Sequence, residues 1–375
     1  MSATTPTVLV AGAFGQANPG DESVLDAFLS RLDGCRVSAT VARVPSGRAP
    51  RYRPVLSADR RAVAAEVLRA DLTVATGTVL KTLHPASGRP PLGLLGSTLA
   101  LAAAARAARR PIAMAGVGAG DLGHPLAPVL ARSIVRSAGP IRLRDEESAG
   151  LLAAAGVGRP LPVGADVVWA TVDPLGSRTG VPARSARRAV IALSHLDGGG
   201  ELVGALQVAA AGLVASGFEV VLHPWQPGPD TPMAAAVAAG CPAPVRVWDP
   251  PPDVPAAARA YAGAALVVGL RFHSLVAAGA AGVPFVAVAH EAKLSGLARR
   301  LGQPAVAPTV SGTGLLGAAL WAAAGPAAPV AAIEAEAARA VATLDEVRAA
   351  AHAAARRRRA RPGMGARGPA VPVLE

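Results

Sequence analysis

Short, wholly apolar runs alternate along this chain with longer segments whose apolar positions return every three or four residues. The short runs read as parallel strands buried on both faces, the longer ones as amphipathic helices. Thr7–Ala13 is the first run; GAFGQANPGDESVLDAFL then turns into a helix capped by Asp21 or a neighbour, with Val24, Leu25, Phe28 and Leu29 on its apolar side. Further strands are expected at Arg36–Val44, Leu72–Ala75, Ile112–Val117, Ile141–Leu143 and Leu161–Val168. Helices at Asp59–Arg69, Leu94–Ala107, Leu126–Ser137 and Glu146–Ala155 lie between them. The pattern breaks between Thr171 and Arg188, in TVDPLGSRTGVPARSARR, and a second alternating series follows. Its strands are Ala189–Leu193, Phe218–Leu222, Val245–Trp248, Leu266–Leu270 and Val283–Ala289. Its helices are Leu202–Ala215, Pro232–Ala239, Pro255–Ala262 and His273–Ala281, with another opening near Lys293 and nearly unbroken helix beyond Gly314, including Ala331–Arg359.

Alternation of this kind builds βαβ units on a parallel sheet. The expected fold class is therefore α/β, with two doubly wound, Rossmann-like domains facing a cleft. The expected boundaries are 1–175 for the N-terminal domain, 176–188 for a linker, 189–330 for the C-terminal domain, 331–360 for a C-terminal helix and 361–375 for a basic disordered tail.

Composition narrows the function classes. Hydrophobic residues make up 51% and charged residues 17% of the 375, so a large core is available and global disorder is excluded. Net charge is +12, but it is scattered arginine with one real run, Arg356–Arg359, and no interleaved aromatics, so nucleic acid is not an expected partner. That run is read as a solvated tail or as a contact with anionic lipid. Cys35 and Cys241 are too far apart for a paired metal or redox motif, and no metal is expected. The first residues lack a basic, cleavable leader, and the longest apolar run, Pro91–Ala105, is too short to span a bilayer. A cytoplasmic protein is expected, at most touching the inner membrane face.

Chemistry concentrates at the ends of strands, where open parallel sheets bind ligands. The stretch LVVGLRFHSLVAAGAAGVPFVAVAHEAKLSGL places Arg271, His273 and Lys293 beside helix amino termini, a combination suited to an anion. Asn18, Gly20, Asp21 and Glu22 follow the first strand and can either hold a sugar hydroxyl or serve the helix start. RLRDEES puts Arg144 at a strand end, where its guanidinium can grip a carboxylate or phosphate. His195 and His223 follow strands of the second domain and are read as structural or as substrate contacts. GAGDLG at 118–123 matches a dinucleotide fingerprint but follows the fourth strand rather than the first, so a nicotinamide or flavin site is not expected. Zinc-peptidase, α/β-hydrolase and P-loop motifs are missing.

Taken in order, GAFGQANPGDESVLDAFL, IAMAGVGAG, IRLRDEESAGLLAAAGV, VGADVVWA, VVGLRFHSLVAAGAAGVPFVAV and HEAKLSGLARRLG resemble the polysaccharide pyruvyl transferase family. The resemblance runs from about Gly12 to Gly302 and includes the branch that pyruvylates cell-wall glycopolymers. It implies a fold similar to the GT-B glycosyltransferases, with no cofactor. The implied reaction is transfer of a pyruvyl group from phosphoenolpyruvate, as co-substrate, to a saccharide or lipid-linked saccharide as a ketal. The family's histidine, two arginines and lysine fall on His273, Arg271, Arg144 and Lys293. With these, His273 is expected as general acid/base, Arg271 and Arg144 as catalytic partners, Lys293 and Ser274 on the donor, and Asn18, Asp21 and Glu22 toward the acceptor. The chain departs from the family where ATGTVLKTL offers only Gly77 in place of a glycine cluster, and where Asp166 is followed by Val167 instead of proline. Two other readings stay open: a GT-B glycosyltransferase using a nucleotide-sugar, and a non-catalytic glycan-binding relative.

Overall fold

The computed structural model describes residues 5–44, 50–84, 88–173, 187–195 and 200–360. Most of the expected linker and the whole tail beyond 360 lie outside the described residues. Two six-stranded parallel sheets form the frame. The first has the order β3-β2-β1-β4-β5-β6, from β1 (Thr7–Phe14), β2 (Arg36–Val41), β3 (Arg53–Leu56), β4 (Leu72–Leu80), β5 (Ile112–Ala119) and β6 (Ile141–Leu143). Its helices are α1 (Pro19–Arg31), α2 (Arg60–Arg69), α3 (Gly93–Ala107), α4 (Ala127–Ser137) and α5 (Glu146–Ala154). The second has the order β12-β11-β10-β7-β8-β9, from β7 (Arg188–Leu193), β8 (Glu219–Pro224), β9 (Arg246–Val247), β10 (Leu266–Gly269), β11 (Phe285–Val288) and β12 (Ala305–Val306). Its helices are α6 (Gly200–Ala215), α7 (Thr231–Gly240), α8 (Val254–Tyr261), α9 (Phe272–Ala280), α10 (Ala292–Arg300) and α11 (Gly312–Ala324). Both orders reverse direction beside the first strand of their own domain, the place where such sheets open a ligand crevice.

The expected strand at Leu161–Val168 does not form. Pro160, Pro162 and Gly164 interrupt it, leaving one bridge, Leu143 to Val163, before a 3-10 turn at Val167–Ala170. Asp166 caps that turn by accepting from the Val168 N–H at 3.0 Å, and Trp169 below it is 1% exposed. The edge strand β3 carries Pro54, which is tolerated where one side of the ladder is unpaired.

Three apolar clusters hold the molecule. One lies on the outer face of each sheet, and the third joins the inner faces of both, running through α1, α9, α10 and Trp169. The last helix, α12 (Val330–Arg359), returns to the first domain. There Arg142 pairs with Glu346, and Arg358 donates to the Arg69 carbonyl (2.9 Å) and to Asp71 (3.1 Å). Ion pairs also cross between domains: Glu147 on α5 takes Arg299 (2.5 Å) and Arg300 (3.0 Å) from α10, and Arg300 reaches buried Glu336 of α12 (2.9 Å). These contacts fix how the two halves of the cleft face each other.

Candidate active site

The loop after β1 enters α1 through Asn18, not Asp21. The Asn18 side chain accepts from the Gly20 N–H (3.1 Å) and donates to Asp21 Oδ2 (2.8 Å). This arrangement frees Asp21 from capping and holds it at the cleft. Glu22 is turned the other way, accepting from the Gly15 N–H at 2.8 Å, so it ties the loop. Gly20 matters for the space it leaves, since a Cβ there would lie 1.9 Å from His273 Nδ1. The imidazole of the second domain thus rests directly on the backbone of the first, and only glycine leaves room for it.

His273, in the first turn of α9, sits between Gly20 and Asp166. Its Nε2 is 3.5 Å from Asp166 Oδ2, an ion-pair separation too long for a good hydrogen bond, and the nitrogen is otherwise buried and unpartnered. Burial pushes the Asp166 carboxyl up, but His273 and, more distantly, Arg144 outweigh it and hold it below the usual carboxylate range. Asp21 goes the opposite way. Burial raises it, Asp166 adds to the rise, and His273, Lys293 and Arg271 only partly offset it. Two neighbouring carboxyls therefore have divergent proton affinities, a frequent signature of acid/base sites.

Arg144 closes β6 and is 4% exposed. Its Nε donates to Asp145 (2.5 Å), its Nη1 donates to Thr78 (2.9 Å), and its guanidinium carbon lies 5.0 Å from the Phe272 ring centroid. Nη2 has no partner among the described residues. The guanidinium fits because residue 118 is glycine; a Cβ there would come within 2.6 Å of Nη2. The R-D-x-x-S block acts as its mount: Asp145 caps α5 by accepting from the Ser148 N–H (2.8 Å) and hydroxyl (2.5 Å), while Ser148 Oγ accepts from the Ala119 N–H (2.9 Å). The first two glycines of GAGDLG are thus explained by side chains packed on them, Arg144 on Gly118 and Lys81 on Gly120.

Lys293, in the first turn of α10, pairs with Glu291, which also takes Lys81 from the first domain at 3.2 Å. Burial lowers the Lys293 proton affinity, and Arg144 and Lys81 lower it further, against the pull of Glu291. The same burial raises the Glu291 carboxyl, yet Lys293 and Lys81 together drive it far below its ordinary value. Arg271 is held by buried Asp230 through Nε (3.1 Å) and Nη2 (2.6 Å), with Gln226 at 3.4 Å. Asp230 also accepts from the His195 and Gln226 N–H groups, both at 2.8 Å. Ser274 is fully buried and its hydroxyl donates to the Arg271 carbonyl at 2.6 Å. His223 lies away in an aromatic nest, hydrogen-bonded to Tyr261 (2.9 Å) and the Asp249 carbonyl (3.1 Å).

The structure thus gathers Asn18, Asp21, Arg144, His273 and Lys293 around one interdomain cleft, with Arg271 on its second-domain side. Sequence reasoning assigns no site role to Asp166 or Lys81. Asp166 lies in one of the family-like blocks, VGADVVWA, but an aspartate in an apolar run carries no spacing signal of its own.

Comparison with known proteins agrees with this architecture. The chain is similar in fold to HepE of Anabaena, solved with UDP and glucose (TM-score 0.54, 14% identity, 94% of this chain and 99% of that one). It is also similar to S. aureus MnaA, solved with UDP (TM-score 0.61, 11% identity, 91% and 94%), and to the UDP-GlcNAc 2-epimerase of Neisseria meningitidis (TM-score 0.56, 11% identity, 91% and 100%). No curated protein gave a significant match. These likenesses establish a GT-B-like pair of parallel-sheet domains. The family model described as polysaccharide pyruvyl transferase matches residues 18–291, a span that takes in Asn18, Asp21, Arg144, Asp166, Arg271 and His273, and the chain belongs to that family of transferases.

Proposed function

We propose that this transferase moves the pyruvyl group of phosphoenolpyruvate onto two hydroxyls of a surface polysaccharide or its lipid-linked precursor, closing a pyruvate ketal. The observation that carries this reading is Arg144: a buried guanidinium with one unpartnered donor, sharing a cleft with Lys293 and with the His273–Asp166 pair. A buried cation with an unsatisfied donor is costly unless an anion completes it. Phosphoenolpyruvate brings both a carboxylate and a phosphate.

In the reaction, C3 of phosphoenolpyruvate takes a proton and C2 gains cationic character. One sugar hydroxyl adds to C2 and gives up its proton, the C2–O bond to phosphate breaks, and the second hydroxyl closes the ketal. Of the two hydroxyl protons, one is balanced by the new methyl group and the other leaves with phosphate. His273 is the acid/base group for these transfers, oriented by Asp166 and by its seat on Gly20. Arg144 and Lys293 hold the donor, and Arg271, pre-set by Asp230, faces the same charge. Asn18 and Asp21 meet the acceptor hydroxyls. Glu22 and Ser274 support the loop and helix that carry these groups. A cytoplasmic location follows from the donor, a cytoplasmic metabolite; among the described residues no helix is long and apolar enough to cross a membrane.

Calorimetry with phosphoenolpyruvate tests the reading. Wild type is expected to bind, and Arg144→Ala and Lys293→Ala to bind at least about tenfold more weakly, the loss of a charge-assisted contact to the donor. Folded wild type that ignores phosphoenolpyruvate but binds a UDP-sugar would replace this reading with a nucleotide-sugar transferase; binding neither would favour a glycan-binding relative.

A further inference from the structure

Away from the cleft, the first domain has an arginine-lined hollow between α4 and the segment after α5. It measures about 240 Å³ and is bordered by Arg132, Arg136 and Arg159 over Val135 and Val157. Arg132 donates to the Ala155 carbonyl at 2.6 Å and so finishes α5. Arg136 and Arg159 are exposed and form no hydrogen bond or ion pair among the described residues. No carboxylate lies nearby in sequence: none occurs from Leu122 to Leu143 or from Ser148 to Ala165. Three positive charges thus border this hollow without local compensation, in a chain otherwise rich in Arg–carboxylate pairs.

The same helix exposes apolar groups. Leu126 is 55% and Val129 47% exposed, and with Arg132 and Arg136 they follow three- and four-residue steps along one side of α4. α4 starts past the carboxyl end of β5, the end of the sheet that carries Arg144 and Lys81. Its apolar tip is therefore on the cleft side and its arginines lie about 10–15 Å further along.

We propose that this face rests on an anionic lipid surface, with lipid phosphates in the arginine hollow and Leu126 and Val129 dipping below the headgroups. Guanidinium forks match phosphate oxygens, and cationic side chains beside apolar ones are what an anionic bilayer interface selects. Charge complementarity favours lipid, since three guanidiniums beside exposed Leu126 and Val129 match phosphates above an apolar layer. The Arg356–Arg359 run is a weaker candidate, because Arg358 is already engaged by Asp71 and the Arg69 carbonyl. The proposal rests on the function above only in that it brings a lipid-linked acceptor to the cleft.

Flotation of the full chain with vesicles tests it. Wild type is expected to float with vesicles of phosphatidylcholine containing about a quarter phosphatidylglycerol, and not with phosphatidylcholine alone. Each arginine at such a surface is worth about fivefold in partition, so Arg136→Glu with Arg159→Glu should lower it by at least ~25-fold. Leu126→Ser with Val129→Ser should also weaken it, whereas truncation after Arg359 should not. All these variants should bind phosphoenolpyruvate like wild type, which separates this surface from the donor site. Wild type that does not float, or a double arginine variant that floats equally well, overturns the proposal. Inorganic pyrophosphate bound in solution and lost in the arginine variant, without vesicle association, would also overturn it and leave a soluble phosphoester site.

Discussion

Gly20→Ala is the perturbation on which the seat of His273 can be judged. In an isolated helix the change would be favourable by about 1 kcal/mol, because alanine loses less backbone freedom than glycine. Here the new Cβ would stand 1.9 Å from His273 Nδ1, against an ordinary contact of 3.4 Å or more. The ring must retreat by roughly 1.5 Å, and it has Asp166 3.5 Å away on its other side. A displacement of about 1 Å in a catalytic group typically costs ~10²-fold in rate, so phosphate release from phosphoenolpyruvate with acceptor should fall at least that far. Thermal stability should change by only about 1–3 kcal/mol, the cost of modest overpacking set against the helix gain. Gly204→Ala in α6, where a Cβ meets nothing within 4 Å, is the matched control and should stabilise without loss of rate. Full activity in Gly20→Ala would refute the placement of His273 in the reaction.

Further outcomes follow from neighbouring residues. Gly118→Ala should weaken phosphoenolpyruvate binding about tenfold or more in calorimetry while leaving the fold intact, because its Cβ would press on Arg144 Nη2 at 2.6 Å. Asp21→Asn should trade function for stability. Since burial raises the folded-state pKa of Asp21 above 3.8, its stabilising contribution is present at low pH and lost as pH rises through the raised value. Urea unfolding should then show the variant gaining on wild type as pH rises above 3.8, by linkage, while transfer falls. His223 works in the other direction. Burial depresses it from 6.5 to about 4, so the folded state prefers the neutral ring, and stability present above pH 6.5 is lost as pH falls toward 4. At about 1.4 kcal/mol per pH unit the loss approaches ~3 kcal/mol, and His223→Asn should lack that part of the acid sensitivity.

Much of this architecture is legible in the chain because the strands are buried on both faces and therefore appear as unbroken apolar runs. β1, β4, β5, β7 and β10 all show themselves that way. Expectation and structure part where local and tertiary signals separate. Leu161–Val168 is as apolar as a strand, but its burial comes from α12 and the inner core rather than from a sheet ladder. β3 is short and carries Pro54, so its local preference argues against the pairing that the sheet edge permits. At the site, His273, Arg144 and Lys293 are legible because charged groups at strand ends stand out from the apolar pattern. Asp166 and Lys81 are not, since each depends on which loops meet across the cleft, and the clasp of Asp230 on Arg271 depends on which loops meet within the second domain. Gly20 and Gly118 show the same limit: their necessity comes from side chains distant in sequence, which no local pattern records.

Whether phosphoenolpyruvate is the donor, and where its pyruvyl group goes, can be read in a single reaction. The protein is incubated with phosphoenolpyruvate and candidate lipid-linked or free saccharides, and phosphate release is followed together with the proton spectrum of the product. Equimolar phosphate and a new methyl singlet on the saccharide are expected, both lost in His273→Gln. Consumption of a nucleotide-sugar in place of phosphoenolpyruvate, or a ketal formed at the wild-type rate by His273→Gln, would contradict the proposed reaction.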